Sequence, residues 1–225
     1  MGMANQKSPD LHGNVPDNSP VALLLIDVIN DFEFDEGAEE LLRFALPAAK
    51  QIAALKERAT NAGIPSIYVN DNFGKWRSDL RALVAHCIDD DTRGRPIAEL
   101  LKPTADDYFV LKPKQSGFYS TTLDLLLQHL GARNLIVTGF ATDICVLFTA
   151  SDAHLRDYRL FIPRDCVASQ DGRENERVLQ YMQRVLEADI RPQRKIDFAK
   201  ATSECNSEGC KIIAGGRSEA QTTGK

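Results

Sequence analysis

Asn134-Leu135-Ile136-Val137-Thr138-Gly139-Phe140-Ala141-Thr142-Asp143-Ile144-Cys145-Val146-Leu147-Phe148-Thr149-Ala150 holds two periodicities back to back. The first part is a short apolar run rich in β-branched residues, the composition of a buried strand. Gly139 breaks it, Thr142 and Asp143 are residue types that cap helix starts, and apolar residues return at helical spacing. The pattern predicts strand, turn and helix, the helix running to about Arg156, with Cys145 in its first turn. There the helix dipole and unpaired N–H groups favour a thiolate. A nucleophile at a strand–turn–helix junction is one reading of Cys145; a small buried apolar residue is the other.

The flanking chain repeats this alternation. Val21 to Ile26 is a continuous apolar run ending in Asp27, and continuous apolarity predicts a strand buried on both faces. Leu41 to Ala62 carries apolar residues at helical spacing up to Gly63, with Pro47 predicting a kink or the start of a second segment. Ile64–Asn70 and Asp107–Leu111 read as strands, Leu123–Leu130 as a helix capped by Thr121 or Thr122, Arg159–Pro163 as a strand and Glu174–Ala188 as a helix. Phe73 to Pro103 is the least regular part and predicts a lid or pocket wall built on short helices. The fold class that follows is α/β, a three-layer α/β/α arrangement around a doubly wound, mostly parallel sheet of about six strands. Residues 1–19 read as a disordered leader, 20–192 as one domain and 193–225 as a flexible tail.

Composition narrows the function. An apolar share of 43% and a charged share of 26% are ordinary for a globular protein. A formal net charge of -5, with no basic run interleaved with aromatics, argues against a nucleic-acid partner. No apolar stretch approaches the roughly 18 residues of a membrane span. The five cysteines lack a pairing rhythm, and the chain opens without a secretory pattern, which predicts reduced thiols and a cytoplasmic location.

Polar residues collect just past the expected strand ends, at Asp27, Asp71, Lys112, the 139–145 turn and Asp165, the edge where open α/β sheets bind ligands. His12, His86, His129 and His154 have no metal-ligand spacing, and no phosphate-cradling glycine loop follows a strand. The expectation is therefore no metal and no cofactor. With no histidine at a strand end, Asp27 is the base best placed for Cys145, and Lys112 is the cation that would favour its thiolate. Asp27 as a plain helix cap and Lys112 as a solvated charge are the structural alternatives.

Three blocks carry a family resemblance. They are Leu25-Ile26-Asp27-Val28-Ile29-Asn30-Asp31-Phe32, the run Leu111-Lys112-Pro113-Lys114-Gln115-Ser116-Gly117-Phe118-Tyr119-Ser120-Thr121-Thr122-Leu123, and Gly139 to Val146 followed by Thr149-Ala150 and Asp152-Ala153. In this order and separation the chain resembles the isochorismatase-like cysteine hydrolases, which include nicotinamidases, N-carbamoylsarcosine amidohydrolases and ureidoacrylate amidohydrolases, over about residues 20–190. The resemblance implies that Asp27, Lys112 and Cys145 form a triad cleaving a small amide or related C–N bond through a thioester. It also implies a cis peptide between Phe140 and Ala141, with an oxyanion hole from the N–H groups of Ala141 and Cys145, and a homo-oligomer, dimer or tetramer. Nicotinamidases place an Asp-x-His at a metal site after the second strand; here the stretch reads Asp71-Asn72-Phe73, which points to a metal-free member. Phe32, Asn72, Phe73, Trp76, Phe118 and Tyr119 are candidates for the pocket wall or, equally, for the core. The alternatives are a vinyl-ether hydrolase of the isochorismatase type and a non-catalytic binding protein on the same fold.

Overall fold

The computed structural model describes residues 18–72 and 79–203. Six strands form one sheet: β1 (Val21–Ile26), β2 (Ser66–Asp71), β3 (Tyr108–Lys112), β4 (Asn134–Phe140), β5 (Arg159–Phe161) and β6 (Val167–Ala168). Their order is β3-β2-β1-β4-β5, with β6 pairing the far end of β4, and every pairing is parallel. The chain winds outward from β1 to β3, then returns to the other side of β1 as β4, so the topological switch lies between β1 and β4.

Side-chain alternation along β1 sorts the two faces. Val21, Leu23 and Leu25 pack with α1 (Ala38–Asn61), α2 (Leu80–Asp89) and α3 (Arg95–Leu100). Ala22, Leu24 and Ile26 pack with α4 (Leu123–Leu130), α5 (Leu147–His154) and α6 (Gly172–Val185). The expected three-layer α/β/α architecture is the one observed. No helix among the described residues is long and apolar enough to cross a membrane. Cys87, Cys145 and Cys166 are all free thiols.

Three local expectations need correction. The helix over Leu41–Ala62 is one continuous helix through Pro47. The flexible tail does not begin at residue 193. A 3₁₀ turn at Gln193–Lys195 and α7 (Phe198–Ser203) pack on the domain, with Ile196 and Ala201 buried. Arg58 fastens this segment by donating to the carbonyls of Gln193 and Ile196 at 2.7 and 2.8 Å, and Asn134 donates to the Ala201 carbonyl at 2.6 Å. Ser19, at the end of the expected leader, is buried and bonded to Leu130. The rest of the leader, up to residue 17, and residues 204–225 of the tail lie outside the described residues.

Gly139 shows how the switch point constrains sequence. Its φ is +117°, a region that L side chains rarely adopt, and a Cβ there would lie 2.0 Å from the Ile26 carbonyl oxygen. Only glycine lets β4 approach β1 this closely, directly beside the ends from which Asp27 and Cys145 project.

Candidate active site

β1 ends because Asp27 leaves the extended region, with φ +50°, a left-handed conformation that aspartate tolerates better than most residues. Its carboxylate is buried and uses both oxygens. Oδ1 accepts the Asp71 backbone N–H at 2.6 Å, and Oδ2 meets Lys112 Nζ at 2.8 Å. Lys112, the last residue of β3, is fully buried and lies beside Asp71 in the β2–β3 register. Its ammonium also sits 3.4 Å from an Asp71 oxygen and 3.4 Å from Cys145 Sγ. Asp27 and Cys145 share Lys112 as a common neighbour. The ends of β1, β2 and β3 and the turn after β4 thus bring together one cation, two carboxylates and one sulfur.

The cysteine stands in the first turn of the helical segment that its pattern predicts, but that turn is π-helical rather than α-helical. Thr142–Val146 is a π-helical turn closed by a 3.1 Å bond from Val146 N–H to the Ala141 carbonyl, and α5 starts only at Leu147. Neither Thr142 nor Asp143 caps it; Asp143 instead accepts from the buried Ser169 hydroxyl at 2.6 Å, which fixes the turn to the exit of β6. The Phe140–Ala141 peptide is cis. The loop after β3 is bound to α5 by a Gly117 N–H bond to Thr149 Oγ1 at 3.0 Å and by Ser116 donating to Asp152. Lys112 and Cys145 therefore belong to segments tied to each other.

Burial dominates the site's proton affinities. It pushes the Cys145 thiol up to about 12, with Asp27 adding to the rise and Lys112 opposing it. This overturns the expectation of a resting thiolate at a helix start: the desolvation penalty outweighs the nearby cation. Burial also raises Asp27 above 3.8 despite Lys112. For Lys112, burial alone would lower the affinity, but the attraction of Asp27 and then of Cys145 more than offsets it, leaving the ammonium raised above 10.5.

A cavity of about 240 Å³ opens over these groups, lined by Asp27, Asn30, Leu41, Asp71, Phe140, Ala141 and Cys145. A larger groove of about 540 Å³ lies between α1, β6 and the start of α6, lined by residues such as Phe44, Gln51, Arg164 and Arg194. Most of the expected aromatic pocket wall is elsewhere. Phe32 is fully buried in the core, its ring 6.3 Å from Phe34 and 6.4 Å from Phe140, and Phe118 packs in the opposite layer against Tyr158. Tyr119 is exposed and, like Asn72, is not among the cavity residues. Asn72 instead pairs its N–H with the Lys112 carbonyl. Phe73 and Trp76 lie outside the described residues. Conversely, the sequence reading did not single out Asn30 and Leu41 as lining residues. Asn30 stands in a quoted motif and gave a signal, whereas Leu41 reads as an ordinary core position of α1.

His86 is held by hydrogen bonds to Asp90 and Asp31, at 2.7 and 3.2 Å. Among the described residues no three His, Cys, Asp or Glu side chains are grouped to hold a metal ion, and Asp71 is in contact with Lys112.

Comparison with known proteins agrees with this geometry. Residues 21–189 match the isochorismatase domain. The uncharacterized isochorismatase family protein YaaI of Bacillus subtilis is 43% identical over 78% of this chain and 95% of its own length. The ureidoacrylate amidohydrolase RutB of Agrobacterium fabrum is 28% identical over 62% of this chain and 72% of its own. Among solved structures, N-carbamoylsarcosine amidase from Thermoplasma acidophilum superposes with a TM-score of 0.60 at 27% identity, covering 79% of this chain and 98% of that one. The domain match spans the whole sheet and both of its strand-end segments, and this chain belongs to the isochorismatase family.

Proposed function

We propose that this protein is a cysteine hydrolase that cleaves a small amide or related C–N bond through a thioester on Cys145. The observation that carries this reading is that Lys112 Nζ stands 2.8 Å from Asp27 and 3.4 Å from Cys145 Sγ, two residues that line the cavity. The similarity to an amidohydrolase and an amidase supports it.

In this mechanism Asp27 accepts the Cys145 proton as the sulfur attacks the substrate carbonyl carbon. The raised proton affinity of Asp27 suits that task, because a base is most effective when its affinity approaches that of the donor. Backbone N–H groups of Ala141 and Cys145 take the oxyanion. The C–N bond then breaks and the amine leaves with the proton from Asp27. Water, deprotonated by Asp27, attacks the thioester carbonyl; the sulfur departs, recovers its proton, and the carboxylic acid is released. Lys112 stays protonated throughout, holds Asp27 in place and stabilises the sulfur anion as it forms.

Two results test this. Incubation with a panel of small amides, ureas and carbamoyl compounds, followed by acid quench and intact-mass analysis, is expected to show an acyl adduct on Cys145 alongside ammonia or amine release. Turnover of a vinyl ether with no adduct would point instead to isochorismatase-type chemistry, in which an acid protonates the substrate and no thiol is needed. The pH profile is the second. Asp27 must be ionised to accept the proton, so kcat/KM falls as pH drops through its folded-state value, which burial holds above 3.8. A kcat/KM that stays flat down to the pH at which the protein unfolds in acid would exclude Asp27 as the base.

A further inference from the structure

The turn that carries Cys145 closes one residue later than an α-helix would close it. The Ala141 carbonyl accepts from the N–H groups of Ile144 and Val146, at 3.2 and 3.1 Å, and the Leu147 N–H reaches back to the Thr142 carbonyl. In an α-helix the partner of the Ala141 carbonyl is the N–H four residues on, which is that of Cys145. The π closure passes this bond to Val146, so the Cys145 N–H is left out of it. Ala141 and Cys145 both line the cavity, and the proposed mechanism gives the oxyanion to their N–H groups. An α-helical turn would spend one of those donors on the backbone.

The chain is fixed on both sides of the turn. Phe140, before it, pairs with Ala168 of β6. Val146, at its end, is wholly buried in the layer of α4, α5 and α6. Between these anchors Thr142 is wholly buried, and its hydroxyl has no hydrogen-bond partner among the described residues. Asp143 ties the turn to the sheet, its Oδ1 accepting the Ser169 hydroxyl at 2.6 Å. Ser169 is 1% exposed and directly follows Ala168, so the β4–β6 pairing sets where that hydroxyl stands. Closing the turn on the Cys145 N–H would wind it down to 3.6 residues per turn and draw Asp143 away from a hydroxyl that the sheet keeps in place.

We infer that Ser169 and Asp143 are positioning residues: their bond keeps the turn in its π closure, and that closure keeps the Cys145 N–H for the substrate oxyanion. This rests on the hydrolase reading above, which assigns the oxyanion to that donor but leaves open what withholds the donor from the helix.

Two probes of the same sulfur test it. Acetaldehyde adds to Cys145: a C–S bond forms, the carbonyl π bond opens, and the thiol proton passes to the new oxygen, which stands where the oxyanion would. Iodoacetamide alkylates Cys145 by displacing iodide from a saturated carbon, so no oxyanion develops. Ser169→Ala is expected to weaken acetaldehyde binding at least about tenfold, read by carbon NMR as the adduct absent from Cys145→Ala, and to leave the alkylation rate within about twofold. Asp143→Ala should do the same, the double variant should be no worse than either single one, and Asp143→Asn, which retains an acceptor oxygen, should stay within about threefold of the wild type. On any small amide the enzyme hydrolyses, Ser169→Ala should lower kcat about tenfold or more with KM within about twofold. A parallel loss with both probes would mean a merely structural bond and overturns the inference. So does acetaldehyde binding unmoved by Ser169→Ala, or no tighter in the wild type than to free cysteine. Selective weakening of acetaldehyde in an enzyme that hydrolyses no amide refutes the hydrolase reading and upholds the positioning. Amide hydrolysis with kcat unmoved by Ser169→Ala does the reverse.

Discussion

Cys145→Ala is expected to lower kcat by about 10⁴-fold or more, the usual cost of removing a covalent nucleophile when the rest of its site remains. The fold should survive. Cys145 is only partly buried and borders the cavity, so loss of the sulfur opens no sealed void. The π turn around it is held by the Val146–Ala141 bond and by Ser169 on Asp143, neither of which involves the thiol. Cys166→Ala is the control. That thiol is fully buried and is not among the cavity residues, so its removal should leave kcat within a few-fold while lowering the urea midpoint. Steady-state assays and urea unfolding on both variants decide the matter. More than about 1% residual kcat in Cys145→Ala would end the covalent mechanism. Because burial holds the resting thiol at about 12, the site does not store a thiolate. In the proposed mechanism the thiolate arises as Asp27 takes the proton, which ties nucleophilicity to the base rather than to the helix end.

The contrast between that thiol and its sequence pattern marks where residues alone stop being informative. β1 and β4 were readable because sheet burial on both faces leaves a continuous apolar run, and α4 because its apolar spacing ends on Gly131, whose φ is +72°. Asp27, Lys112 and Cys145 were readable as strand-end residues because topology puts strand ends on one edge. Their proton affinities depend on how much water the neighbouring layers exclude, which is a property of the packed molecule. The same limit explains the aromatics. Phe32 and Phe118 look alike as pocket or core until packing assigns each to an opposite layer. Residues 193–203 show no periodicity, since what fixes them is a guanidinium fork from Arg58 and two buried side chains, Ile196 and Ala201.

Lys112→Met should be the most damaging substitution to both activity and stability. The lysine is fully buried between Asp27 and Asp71, and methionine, one heavy atom shorter, keeps an unbranched apolar stem while deleting the charge. Asp27 is then left as a buried carboxylate with one backbone donor, a loss of about 3–5 kcal/mol at neutral pH by the general behaviour of half-broken buried ion pairs. The pH dependence identifies the cause. In the wild type, Lys112 has a folded-state affinity above 10.5, so its stabilisation is complete below 10.5 and is lost only as pH rises through the raised value. In the variant the lowering effect of Lys112 on Asp27 is gone, so the Asp27 affinity, already above 3.8, climbs further. A group with a raised folded-state value binds its proton more tightly when folded. Its contribution to stability is therefore fully present below 3.8 and is lost as pH rises toward the new value, so the deficit of Lys112→Met relative to the wild type is expected to be smallest in acid and to grow from about pH 4 upward. Adding Asp27→Leu should restore much of the stability by removing the stranded carboxylate, while activity stays absent because the base is gone. Urea midpoints across pH for the single and double variants test this. A single variant as stable as the wild type at pH 7 would mean that Lys112 is not the counter-charge on which Asp27 depends.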